Sequence, residues 1–193
     1  RYFPELTDAK DIAIYYANKL CKNGGAAIFA NRTSTVITVI NRIIELSDRG
    51  HDLAEIKENS DGEEMSRVAQ LMSEYYGKQH PYTIACYLGV VPHYSNLPNG
   101  LRLAVEHACR NKALRLIVCT STLAQGVNIP IKYLFMTSFM VARNSMQIRS
   151  LQNLMGRTAR SGMYTEGSVI VTDPQLFDNK NNRRNGGNYK WKD

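Results

Sequence analysis

Along the chain, short runs that are apolar without interruption alternate with longer stretches in which apolar residues recur every three or four positions. Residues 5–22 place Ile12, Tyr15 or Tyr16, and Leu20 at helical spacing, and the pattern stops at Asn23-Gly24-Gly25, residues suited to ending a helix. Residues 26–30, Ala-Ala-Ile-Phe-Ala, are then continuously apolar, as a parallel strand buried on both faces requires. Asn31-Arg32-Thr33-Ser34 offers polar caps to a second helix with Val36, Val39, Ile40 and Ile43 on one face. The pattern therefore predicts strand, polar loop, helix.

Residues 47–80 are charged and broken at Asp61-Gly62. They predict a surface helix around 63–76 with Met65, Val68, Leu71, Met72 and Tyr75 as its apolar stripe, an insertion and not a separate domain. A short strand is expected around 89–93, then a helix opening at Pro98 with Leu101, Ala104, Val105 and Ala108 facing inward. Further strands are expected at 114–119, 132–138 and 168–172, and a helix at 148–155. Strands alternating with helices predict a parallel α/β sheet. The expected organisation is an N-terminal helix or inter-domain linker at 1–22, an α/β domain at 23–175 with its insertion at about 47–80, and a polar, flexible tail at 176–193.

With 193 residues, 44% of them hydrophobic, the chain can build one core. No run approaches the roughly 18 consecutive apolar residues of a membrane span, and residues 1–4 carry no signal-peptide pattern, so a cytoplasmic protein with no membrane partner is expected. Cys21, Cys86, Cys109 and Cys119 form neither CxxC nor a zinc pattern, and the four histidines form no HxH or HExxH. Buried or free thiols in a reducing compartment, and no metal held by protein ligands, are expected.

The net charge of +7 becomes informative when located. Residues 1–100 hold 10 basic and 12 acidic groups, residues 101–160 hold nine basic groups against Glu106 alone, and residues 161–193 hold five against four. The whole excess lies in the middle segment. A polyanion is a natural partner for it, with a merely solvated basic face as the other reading.

Two motifs fall in that segment. The strand at 114–119 runs into Thr120-Ser121-Thr122-Leu123-Ala124-Gln125-Gly126-Val127-Asn128-Ile129-Pro130, where a parallel sheet binds its ligands. Hydroxyls and backbone amides there suit phosphate oxygens, and Gly126 permits a turn or close approach; an ordinary hydroxyl-rich helix start has the same composition. The second is Gln152-Asn153-Leu154-Met155-Gly156-Arg157-Thr158-Ala159-Arg160. Arginines three apart share one helix side and can clamp a transferring phosphoryl group, although many such pairs only solvate a surface.

In order and spacing, the set resembles the second RecA-like domain of superfamily 2 helicases, especially the DExH branch of Ski-like and archaeal repair helicases. Ile28-Phe29-Ala30-Asn31-Arg32 looks like motif IV. His93-Tyr94-Ser95 with Arg102 and Val105-Glu106 is similar to the block that follows it, residues 120–130 resemble motif V, and residues 153–160 resemble motif VI. The resemblance spans about residues 24–172 and implies a RecA-like parallel sheet flanked by helices, of the P-loop NTPase type. It implies that Asn31, Arg32, His93, Thr120 and Ser121 face single-stranded DNA or RNA, that Gly126, Asn128 and Gly156 lie toward ATP, and that Arg157, Arg160 and Asn153 serve its hydrolysis. Asn153 stands where the family has Gln, with Gln152 one place earlier; Ala159 replaces a Gly, and Tyr94 a His.

The chain contains neither GxxxxGK[ST] nor DExH. In the resembling family both belong to an upstream RecA-like domain, which binds ATP and holds Mg²⁺. The expectation is an ATP-dependent helicase or translocase in the full-length protein, with this segment inactive alone. The alternative is a non-catalytic nucleic-acid-binding or regulatory module that kept the fold. Trp191 and the methionines carry no expected function beyond a terminus and packing.

Overall fold

A computed structural model describes residues 2–121, 129–138, 140–141, 144–145, 152–153, 155–156 and 164–174. Its sheet contains β1 (Ala26–Phe29), β2 (Val90–His93), β3 (Leu116–Cys119) and β4 (Tyr133–Met136). After a two-residue antiparallel pair, β5 (Met140–Val141) and β6 (Asn144–Ser145), comes β7 (Ser168–Val171). The five strands lie in the order β2-β3-β1-β4-β7, and every neighbouring pair is parallel. β1 and β3 are buried at all four residues, which is why their sequences lack alternation. β7 closes one edge and stays partly exposed, whereas β2 closes the other and is fully buried because a helix covers it.

The helices are α1 (Ala9–Leu20), α2 (Thr33–Asp48), α3 (Ala54–Glu58), α4 (Gly62–Tyr76), α5 (Pro81–Tyr87) and α6 (Asn99–Arg110). The stretch 1–22, which the sequence sets apart as a helix or linker, contributes α1. Its Ala13, Ile14 and Ala17 are fully buried and it lies on β1 and β4. α2 lies on β2 and β3 with Val36, Val39, Ile40 and Ile43 buried, the face read from its spacing. A buried ion pair joins the two helices: the Arg42 Nε and Nη2 donate to the two Asp11 carboxylate oxygens at 2.8 Å each, and Nη1 donates to Glu45 at 2.9 Å. This forked geometry satisfies the guanidinium and holds it charged.

The charged stretch 47–80 folds as α3 and α4. Met65, Val68, Ala69 and Met72 of α4 are buried against α5 and α6, whereas Tyr75, expected in the stripe, is 55% exposed. α5 is absent from the sequence reading. Its seven residues give too few repeats for a period, and it is set instead by Pro81 in its first turn and by His80, whose Nδ1 accepts the Tyr82 amide at 3.2 Å. Gly89, at φ +77°, then turns the chain into β2. A Cβ there would lie 2.6 Å from Ser60 Oγ and 2.9 Å from the Ile56 carbonyl, so glycine meets both the backbone and the space requirement.

Candidate functional site

In parallel register, Phe29 lies opposite Cys119 and Met136, His93 opposite Cys119, and Met136 opposite Val171. The strands therefore end level, and the next residues form one rim: Tyr94-Ser95, Thr120-Ser121, Asn31-Arg32, Thr137-Ser138 and Thr172-Asp173. Backbone bonds carry the pairing one residue past the strands, from Ala30 N to Cys119 O (2.7 Å), Thr120 N to His93 O (3.1 Å) and Thr172 N to Met136 O (3.0 Å). Thr137 Oγ1 donates to Phe29 O at 2.7 Å. The rim is thus a row of polar residues on a rigid edge, where open α/β sheets bind ligands.

Five residues singled out by the sequence come together here. Asn31 is oriented by Thr35, whose hydroxyl donates to its Oδ1 at 3.0 Å. Arg32 opens α2 in extended conformation (φ −149°, ψ 156°), makes no side-chain cap, and is exposed. Thr120 is buried, and Ser121 beside it is half-buried. His93 differs from the others in direction. Its side chain is 1% exposed and its Nε2 lies 3.2 Å from Glu106 Oε1 on α6. Burial lowers its pKa, and the Glu106 carboxylate only partly opposes that. The neutral ring, with its proton assigned to Nε2, ties β2 to α6. Arg102 lies 4.0 Å from the same Glu106 oxygen while its Nη2 donates to Asn99 Oδ1 at 2.8 Å, which leaves a half-exposed cation beside the rim.

Asn153 and Gln152 are helical and both exposed, and the Gly156 amide donates to the Gln152 carbonyl at 2.8 Å, carrying the turn through the glycine. Gly126, Asn128, Arg157 and Arg160 lie outside the described residues. Among the described residues, no group of three or more His, Cys, Asp or Glu side chains is placed to hold a metal ion, and no helix is long and apolar enough to cross a membrane. All four cysteines are free and buried; burial pushes the Cys21 thiol up to about 11 and those of Cys86 and Cys119 up to about 12, so they are packing groups and not nucleophiles.

A level polar rim of this kind on a five-stranded parallel sheet flanked by helices defines a RecA-like α/β domain. The sequence model of the helicase conserved C-terminal domain matches residues 63–162, more than half of the chain, and the chain belongs to that family. It is similar to the Hachiman protein HamB of Bacillus cereus, at 27% identity over 171 residues, 88% of this chain and 15% of that protein. It also resembles the human helicase POLQ-like protein (35% identity, 43% of this chain, 8% of that one) and the ATP-dependent DNA helicase Hel308 of Aeropyrum pernix (30%, 46% and 12%). The crystal structure of the DUF1998 helicase MrfA bound to DNA and AMPPNP shares the fold, at a TM-score of 0.54 and 16% identity over 90% of this chain and 19% of that one. The chain thus spans less than a fifth of the length of each of these relatives. The RecA-like fold and the resemblance to superfamily 2 helicases both hold.

Proposed function

We propose that the chain is the second motor domain of an ATP-dependent helicase or translocase and works against an upstream P-loop domain of the same protein. The observation that carries this is the level rim, with Arg32 exposed, Asn31 oriented and Thr120-Ser121 seated between β1 and β2. Such an edge meets a phosphate backbone through hydroxyls, amides and the Arg32 guanidinium without reading bases. Single-stranded DNA and RNA fit it equally. His93, turned inward, acts by positioning α6 and Arg102 and not by touching the strand.

The residues fit one side of an ATP site. The chain lacks a phosphate-cradling P-loop and the carboxylates for Mg²⁺, and offers instead Arg157 and Arg160 with exposed Asn153, Gln152 and the Gly156 turn. Bound ATP with Mg²⁺ supplies the phosphoryl-transfer energy for movement. On this reading the two arginines supply positive charge toward the γ-phosphate, Asn153 or Gln152 orients water, and Gly126 and Asn128 line the nucleotide side. Free, buried thiols suit a reducing cytoplasm. Replacing Arg160 by Ala in the full-length protein is expected to lower ATP turnover by about 10³-fold or more with ATP binding retained. Unchanged turnover would remove the finger assignment. The departures at Asn153 and Ala159 favour the second reading, a strand-binding module without a working motor, and absence of turnover in the unmodified full-length protein would select it.

A further inference from the structure

Beyond the edge strand β2, the rim continues into a cluster of rings that no motif covers. α4 ends at Tyr76, and α5, capped by His80, runs back to the start of β2, so the 77–80 turn stands at the same edge as Tyr94. The Tyr76 and His80 rings stack at 4.8 Å with 23° between their planes, and Tyr82 closes on both edgewise at 5.5 and 4.8 Å. The Tyr76 and Tyr94 hydroxyls are 3.3 Å apart, and the Tyr82 and Tyr94 rings meet at a tilt with their centroids 6.0 Å apart. Tyr82 and Tyr94 are buried, whereas Tyr76 and His80 are half-buried and open to solvent.

Two features point outward. Two hydroxyls that share one hydrogen bond have one proton more than they have mutual bonds, and the member of the pair that solvent reaches is Tyr76. His80 Nδ1 accepts the Tyr82 amide, which puts the proton of the neutral ring on Nε2, where no described protein group meets it. Burial lowers the His80 pKa, so the ring stacks as a neutral aromatic. Exposed Lys78 lies in the same turn and adds a cation for a phosphate.

We propose that the Tyr76–His80 stack is a base-binding subsite, which takes one nucleobase of the single strand whose phosphates the rim holds. The assignment rests on the reading of the rim as a strand-binding edge. β1 and β2 are two strand spacings apart, about 10 Å, so the stack at the β2 edge lies within a few nucleotides' reach of a strand held at Arg32 and Thr120. Aromatic rings beside cations are how single strands are held without sequence preference.

The test compares binding of the full-length protein to a single-stranded oligonucleotide and to an abasic strand of equal length and charge. Tyr76→Ala is expected to weaken binding of the intact strand by roughly 5- to 100-fold and leave the abasic strand unchanged. Tyr76→Phe, which keeps the ring, should retain most of the preference. His80→Asn keeps an acceptor for the Tyr82 amide, guarding the fold, and should reproduce the Tyr76→Ala pattern. Arg32→Ala should weaken both strands alike. If Arg32→Ala behaves so while Tyr76→Ala and His80→Asn weaken both strands equally or neither, the subsite is overturned and the rim stands. If the unmodified protein binds neither strand at low salt, both readings fall.

Discussion

Asp11 and His93 are buried polar residues that the structure keeps for different reasons. Asp11 neutralises Arg42 between α1 and α2, and Glu45, the remaining partner, is half exposed. Asp11→Ala leaves the guanidinium buried with only that partner, and a loss of about 3 kcal/mol in urea unfolding is expected. Replacing Asp11 and Arg42 together by apolar residues should recover most of it. His93 is held neutral below its ordinary value of 6.5, whereas the unfolded chain takes up a proton there. Unfolding then binds a proton, so stability is full above pH 6.5 and declines as the pH falls through it. His80 adds a slope of the same sign, so the comparison that isolates His93 is wild type against His93→Gln in urea midpoints between pH 7.5 and 5.5. The variant should show the shallower decline; equal slopes would contradict the assignment.

At the scale of elements, the helix–strand junction at Gly89 is tightly constrained in both backbone and space. Gly89→Ala forces a side chain into φ +77° and against Ser60 and Ile56, and should cost about 1–3 kcal/mol in the same measurement. What was legible in the sequence follows from how each element is stabilised. β1 and β3 read directly because strands buried on both faces are unbroken apolar runs, and α2 because its sixteen residues repeat one face several times. α5 did not, since two turns carry no period, and Tyr75 was misplaced because its spacing continues the α4 stripe past the point where the core ends. Asn31, Thr120 and Ser121 were legible as the residues after strands. The inward turn of His93 was not, because nothing in its own segment announces Glu106 thirteen residues later, and the Tyr76–His80 stack is assembled from the ends of two helices.

Across the molecule, the excess charge of residues 101–160 divides between two phosphate ligands in the proposed account. Arg157 and Arg160 are assigned to ATP, leaving Arg102 near the rim with Arg32 and Lys78 from the acidic half of the chain. Among the described residues these are the cations placed at or near the rim, so binding should be salt-dependent, with a slope of about −0.7 in log K per log salt for each phosphate contact. Arg32→Ala should reduce that slope by about one contact, and an unchanged slope would take Arg32 off the strand. The central claim, that this domain couples a held strand to ATP turnover, is tested most directly by the ATPase rate of the full-length protein with and without single-stranded DNA or RNA. The account predicts stimulation by single strands that is lost in Arg32→Ala while turnover without a strand is retained. Turnover indifferent to both the strand and that substitution would contradict it.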